Sequence, residues 1–197
     1  MSGQALLRRG VLLEQLTLGW NVVGVVVLAV AAVRAGSVAL AGFGLDSLIE
    51  IAASAVVIWH LTGAARLQEP AALRLIGSAF LALAVYVAAQ AAASLLLQST
   101  PDPSGLGIAW TAATVAAMLL LAEGKRRTGA ALGNRVLLTE SRVTGVDAAL
   151  AAVVVVGLVL NAAVGWWWAD PVSGIAIAAY ALREGRAALA EARGLRV

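Results

Sequence analysis

The chain has 197 residues, of which 61% are hydrophobic and only 13% charged, and its mean hydropathy is +0.92. Soluble globular proteins are about 45–50% apolar and about 25% charged, so the composition excludes an ordinary soluble enzyme and a disordered chain. Cysteine is absent and histidine occurs once, at His60; this removes disulfides, thiolate metal sites, thiol nucleophiles and His-rich metal clusters.

A transmembrane helix takes about 20 apolar residues to cross about 30 Å of hydrocarbon. Six stretches read as such spans, at about 11–33, 38–61, 71–97, 106–121, 136–163 and 171–189. The valine runs Val25–Val27 and Val153–Val156 would favour strands in water. Barrel strands, however, are only about 9–11 residues long and alternate polar with apolar, whereas helices satisfy their own backbone in lipid. The expectation is an all-α polytopic membrane protein forming a single six-helix domain, with no soluble domain after the last span.

The breaks carry turn chemistry or charge. Arg34-Ala35-Gly36-Ser37 separates spans one and two, and the stretch 63–70, with Arg66 and Glu69, separates two and three. Pro101-Asp102-Pro103-Ser104-Gly105 forms a turn-rich loop. Lys125-Arg126-Arg127 is read as the loop after span four, and Trp166-Trp167-Trp168-Ala169-Asp170-Pro171 joins five and six, with Pro171 suited to a first helical turn. Arg8-Arg9 before an apolar run faintly resembles a signal peptide, but the run is long for one.

With the N-terminus placed in the cytoplasm, 13 basic residues fall on the cytoplasmic side, Lys125 among them, and only Arg34 falls opposite. This positive-inside bias predicts an even number of spans, both termini cytoplasmic, in the cell's inner (plasma) membrane. It also explains the pI near 10.2 without nucleic acid. The Trp triplet then sits at the outer interface and Trp59, beside His60, at the inner one.

Three carboxylates interrupt the hydrocarbon: Asp46 and Glu50 in span two and Asp147 in span five. An ionisable group at the bilayer centre costs a few kcal/mol on insertion scales and usually faces the bundle interior, where it serves ions or protons. Asp46 and Glu50 are four residues apart, hence on one helical face about 6 Å apart along the axis. Counted from the outer helix ends at about 1.5 Å per residue, Glu50 lies about 18 Å deep and Asp147 about 20–24 Å. The three are therefore expected at one depth, where they repel unless a cation or protons lie between them. Glu140, seven residues before Asp147 and on its face, is either part of a cytoplasmic approach or a solvated helix-end charge. Glu14 is read as interfacial, Asn21 as interhelical glue or a ligand, Asn161 as a cap or interface residue, and His60 as interfacial. The alanine-rich third span, Ala82 to Ala93, is a candidate subunit or bundle contact.

The stretch Ser37-Val38-Ala39-Leu40-Ala41-Gly42-Phe43-Gly44-Leu45-Asp46-Ser47-Leu48-Ile49-Glu50, the stretch Glu140-Ser141-Arg142-Val143-Thr144-Gly145-Val146-Asp147 and the Trp-Ala-Asp-Pro run ending at Pro171 together resemble the cation diffusion facilitator family. The resemblance covers nearly the whole chain. It implies that Asp46 and Glu50 take the two ligand positions of span two and that Asp147 takes the acidic one of span five. Two features depart from the family: Val143 stands where a His, Asp or Asn is usual, and the C-terminal cytoplasmic domain is lacking, so any homodimer would form through the membrane domain.

Zinc favours four-coordinate sites with nitrogen and sulfur ligands. Here only oxygen is offered, by Asp46, Glu50 and Asp147, with Glu140, Thr144, Ser47 and Asn21 as further candidates. Such a set leans towards Mn²⁺, then Fe²⁺ or Co²⁺, with Zn²⁺ and Cd²⁺ as other divalent substrates. The expected function is a secondary transporter, not an enzyme and without a resident cofactor, that exports a divalent metal ion in exchange for protons. The alternatives are a transporter of an organic cation on the same scaffold and a non-transporting membrane subunit that binds a partner.

Overall fold

Six helices run through the chain: α1 Gly3–Ala35, α2 Val38–Leu61, α3 Glu69–Leu96, α4 Gly105–Leu132, α5 Arg135–Val164 and α6 Ala169–Gly194. They are seen in a computed structural model that describes residues 3–61 and 69–194. No strand occurs among the described residues, so the valine runs are helical. Five of the helices are long and apolar enough to cross a membrane, and the chain is an all-α polytopic membrane protein. Helix α6 is the exception by composition: Arg183, Glu184, Arg186, Glu191 and Arg193 crowd its second half. Residues 62–68 of the break between α2 and α3, with Arg66, and the side chains of Trp59 and His60, lie outside what is described.

Helix α4 runs on to Leu132, about three turns beyond the expected end at residue 121. The Lys125-Arg126-Arg127 loop is thereby corrected: all three residues are helical. The real turn is Gly133-Asn134. Gly133 adopts the left-handed conformation (φ 62°) that closes α4, and the Asn134 side chain accepts from Leu137 N (3.0 Å) to start α5. At the other end of α4, Ser104 caps by accepting from Gly107 N (3.1 Å).

The inter-helix hydrogen bonds align the ends. Asp102 N donates to Ala35 O (2.8 Å), and Asn161 Nδ2 donates to Pro101 O (2.8 Å). Asp170, at the start of α6, accepts from Val38 N (2.9 Å), Ala39 N (3.4 Å) and the Ser37 hydroxyl at the start of α2. One end of the bundle therefore collects the C-termini of α1, α3 and α5 and the N-termini of α2, α4 and α6. The helices alternate up and down, and the opposite end holds the α4–α5 turn.

Burial along α1 falls on Gly10, Glu14, Thr17, Asn21, Gly24, Leu28, Ala31 and Ala35. That spacing averages 3.5 residues, a seam that keeps one stripe facing its neighbours. Helix α4 repeats it with Gly107, Thr111, Thr114, Met118, Lys125 and Thr128. The two seams meet where Trp20 stacks on Trp110 (4.9 Å between ring centroids) and donates through Nε1 to Thr114 Oγ1 (3.0 Å). Helices associate most extensively as α1 with α2, α4 with α5 and α3 with α6, while α2 also touches α3, α5 and α6. The outward faces carry Leu12, Val26, Val33, Leu75, Val85 and Leu120, all exposed, as lipid requires.

Buried apolar side chains concentrate near the end that bears the Asp170 cap. Leu28, Leu40, Phe43, Val154, Leu158 and Ile177 form one cluster there. A second cluster, around Phe80, Leu83, Val87 and Ala181, glues α3 to α6. The opposite half of the interior holds the buried charged side chains Glu14, Lys125 and Glu140 beside apolar Met118 and Leu137.

Candidate cation site

Helix α2 is the central element, and only a narrow stripe at Leu45, Leu48 and Ala52 faces outward in its middle. Its phase carries Asp46 (1% exposed), Ser47 (3%) and Glu50 (2%) inward, as the four-residue spacing predicts. Asp147 (4% exposed) lies inward on α5. Ser47 Oγ donates to Phe43 O (3.1 Å), which ties that hydroxyl to its own helix. Among the described residues, none of Asp46, Glu50 and Asp147 forms an ion pair within 4.0 Å.

Counted from Val38 at about 1.5 Å per residue, Asp46 lies about 12 Å deep and Glu50 about 18 Å. Helix α5 overruns that level: Ser173 Oγ donates to Val153 O (3.2 Å) and Gly174 sits against Val38, so about residue 157 of α5 is level with Val38 and Asp147 lies about 15 Å deep. The three carboxylates therefore share one depth to within about a helical turn, as expected, and Glu140, Lys125 and Glu14 lie deeper. Neighbouring steps lie within electrostatic range of each other: Asp46 of Asp147, Glu50 of Asp46, Asp147, Glu140 and Lys125, and Asp147 of Lys125 and Glu140. Among the described residues, no three Asp, Glu or His side chains converge tightly enough to cage a metal ion.

The deeper steps form a bonded cluster. Lys125 Nζ donates to Glu14 Oε2 (3.0 Å), Glu140 Oε1 (3.4 Å) and Thr144 Oγ1 (3.0 Å), and Thr144 Oγ1 in turn donates to Glu140 O (2.9 Å). Lys125 and Glu14 are both fully buried and Glu140 is 6% exposed. These positions refine two expectations. Glu14 keeps a depth near the expected interface, but the heptad phase of α1 turns it into the seam, where it is buried and paired. Glu140 is not a solvated helix-end charge, because the added turns of α4 cover it. Asn21 is buried, and Asn161 serves as the interface residue that holds Pro101.

Sequence reasoning missed three contributors: Lys125, Tyr180 and Glu184. Asp46 lies within electrostatic range of Glu184, and Tyr180, one helical turn earlier on α6, within range of Asp46, Glu50, Asp147 and Glu184. Tyr180 also packs against both apolar clusters. A signal for Lys125 exists, because Thr111, Met118 and Lys125 recur at seven residues and share one face.

Four buried side-chain polar atoms have no hydrogen-bond partner among the described residues: Glu14 Oε1, Asn21 Nδ2, Asp46 Oδ1 and Ser54 Oγ. All belong to α1 and α2, and their axial depths span about 12 to 31 Å. Buried polar groups are normally satisfied. The three oxygens have the ligand chemistry of a hard cation, whereas the Asn21 amide N–H is a donor and suits a water oxygen. Compared with known proteins, the chain matches no family model, and no curated protein matches it.

Proposed function

We propose that the chain is a secondary transporter that exports a divalent metal ion from the cytoplasm in exchange for protons, on the scaffold of the cation diffusion facilitators. The observation that carries the reading is the row of buried carboxylates, Asp46, Glu50 and Asp147, inside an apolar bundle and free of ion-pair partners among the described residues. Such groups are expensive in lipid and repel one another, so a cation or protons must accompany them.

The two halves of the interior supply the asymmetry that transport needs. The polar ladder opens towards the α4–α5 turn, and the cluster of Leu28, Leu40, Phe43 and Ile177 seals the other half. Placed with the turn in the cytoplasm, as the bias of the basic residues favours, an ion climbs from Glu140 to the group formed by Glu50, Asp147 and Asp46. Helix α2 packs far less extensively on α5 than on α1. Rocking of the α1–α2 pair against the α4–α5 pair brings the carboxylates of α2 and α5 onto one ion and then opens the sealed half. Protons arriving from outside neutralise the carboxylates and release it. Oxygen ligation places Mn²⁺ first, then Fe²⁺ and Co²⁺, with Zn²⁺ and Cd²⁺ behind. The outward alanines of α3, Ala82, Ala88, Ala89, Ala92 and Ala93, are the face on which two copies would meet.

Val143 favours a second reading, because α5 then offers one carboxylate where two ligands are usual, and a looser site suits an organic cation. Proteoliposomes with a metal-sensitive dye inside and a reversible pH gradient separate the two. One of the five metals should give saturable flux that reverses with the gradient. Glu50→Ala and Asp147→Ala should each lower it at least about a hundredfold, as loss of a buried charged ligand implies. A folded protein that moves none of the five metals would sink the metal reading.

A further inference from the structure

Lysine occurs once in this chain, at Lys125, against thirteen arginines, and that one lysine is fully buried. The choice has a physical meaning. Arginine presents a rigid planar fork, whereas the ammonium of lysine is a compact charge with three donors on a flexible four-carbon arm. All three donors of Lys125 meet oxygen: Glu14 Oε2 at 3.0 Å, Thr144 Oγ1 at 3.0 Å and Glu140 Oε1 at 3.4 Å. The oxygens come from two helices, α1 and α5, and meet Nζ as they would meet a free cation.

The cluster is over-supplied with acceptors. Two carboxylates face one ammonium, and Glu14 Oε1 has no hydrogen-bond partner although the residue is fully buried. A purely structural ion pair gains from complete satisfaction of its lone pairs, and this one leaves an oxygen idle at its centre. The neighbours of Lys125 do not compete for the place. Arg126 and Arg127 are exposed and both bond Glu123 at the surface.

We propose that the Lys125 ammonium is a tethered stand-in cation, which fills a binding station built by Glu14, Glu140 and Thr144 and yields it to a divalent cation arriving from the α4–α5 end. The station is the first step of the ladder, about 5 Å below Asp147 along the axis. When the ion moves on, the ammonium swings back. The buried carboxylates are then never left uncompensated, and the ion cannot return into a filled station. The inference deepens the transport reading and rests on it only for the identity of the incoming cation.

A single lysine makes the test direct. The wild-type protein in detergent is treated with a small amine-modifying reagent, and modification of Lys125 is followed by mass spectrometry against the α-amine as internal reference. Mn²⁺, Fe²⁺, Co²⁺, Zn²⁺ and Cd²⁺ are added in turn. Lys125 should react slowly without metal, and a metal that takes its place should speed its modification about tenfold or more, the size set by differential affinity for the two arrangements, without changing the α-amine. Glu14→Gln should raise the metal-free rate and blunt the response. Modification that is fast from the start, or that no metal accelerates, overturns the proposal. Acceleration by a metal that gives no flux would uphold the station and sink the transport reading; flux without acceleration would do the reverse.

Discussion

Asp170 is the residue on which the capped end of the bundle hangs. It sits on α6, yet its carboxylate caps α2 by accepting from Val38 N, Ala39 N and the Ser37 hydroxyl, while Ser37 Oγ accepts from Leu40 N (3.1 Å). A negative charge at a helix N-terminus is favourable on its own, and here it also ties the helix of Asp46 and Glu50 to the helix of Tyr180 and Glu184. Asp170→Ala leaves those donors unmet inside the bundle and should cost about 1–3 kcal/mol, the range for caps and charged hydrogen bonds. Asp170→Asn, which keeps an acceptor, should recover about half of that loss. Unfolding by denaturing detergent, followed through the tryptophans, measures both. Equal stability of Asp170→Ala and wild type would show that Ser37 caps α2 unaided. The sequence shows Asp170-Pro171 as a helix start and gives no hint that the cap serves another helix, because the pairing of the two N-termini arises only when the bundle closes.

At the scale of elements, α6 depends on its neighbours more than any other helix, since its charge-rich second half disqualifies it as an apolar span. What holds it is a close crossing with α3. A Cβ on Gly185 would lie 2.9 Å from Gly77 O and one on Gly77 would lie 3.0 Å from Gly185 O, so the two backbones touch at glycine. Gly185→Val must push α6 away from α3 and should destabilise by about 1–3 kcal/mol, as overpacking does. Gly19→Ala is the matched control: nothing lies within 4 Å of the added Cβ, and a glycine inside a helix already costs about 0.5–1 kcal/mol relative to alanine. The control should be neutral or slightly stabilising in thermal unfolding. If Gly185→Val melts with the control, the α3–α6 crossing is not what retains α6. Hydropathy was enough to read the helices themselves, because each must satisfy its own backbone in lipid. Their ends were less legible. The basic run 125–127 imitates a loop, whereas the stop signal is Gly133 followed by the cap Asn134. Placing the end of α4 at residue 121 hid the phase that turns Lys125 inward and leaves Arg126 and Arg127 outside. The inward carboxylates of α2 were readable from their spacing. The shared level of Asp147 followed from counting depth along the spans, whereas the part played by α6 depends on how helices slide and cross, which no single helix encodes.

For the molecule as a whole, sidedness decides what the asymmetric interior does. Polar side chains run from the α4–α5 turn to about the middle of the bundle, and apolar packing closes the rest. On the transport reading, a turn in the cytoplasm makes that end the loading side for export. The charge bias favours a cytoplasmic turn: among the described residues Arg34 is the only basic residue near the capped end, and the others are displaced towards the opposite end. Because the chain contains no cysteine, single reporters are unambiguous. Ser99 lies exposed in the α3–α4 connection at the capped end, and Ala131 lies exposed beside the α4–α5 turn. Neither substitution alters a charge, so the bias that sets the topology is untouched. In intact cells a membrane-impermeant thiol reagent should modify Ser99→Cys at once and Ala131→Cys only after permeabilisation. The opposite pattern would invert the direction of transport while leaving the carboxylate ladder intact. Modification of both from outside would mean that α4 does not cross the membrane. The Lys125 station would then have no membrane potential or ion gradient to work against.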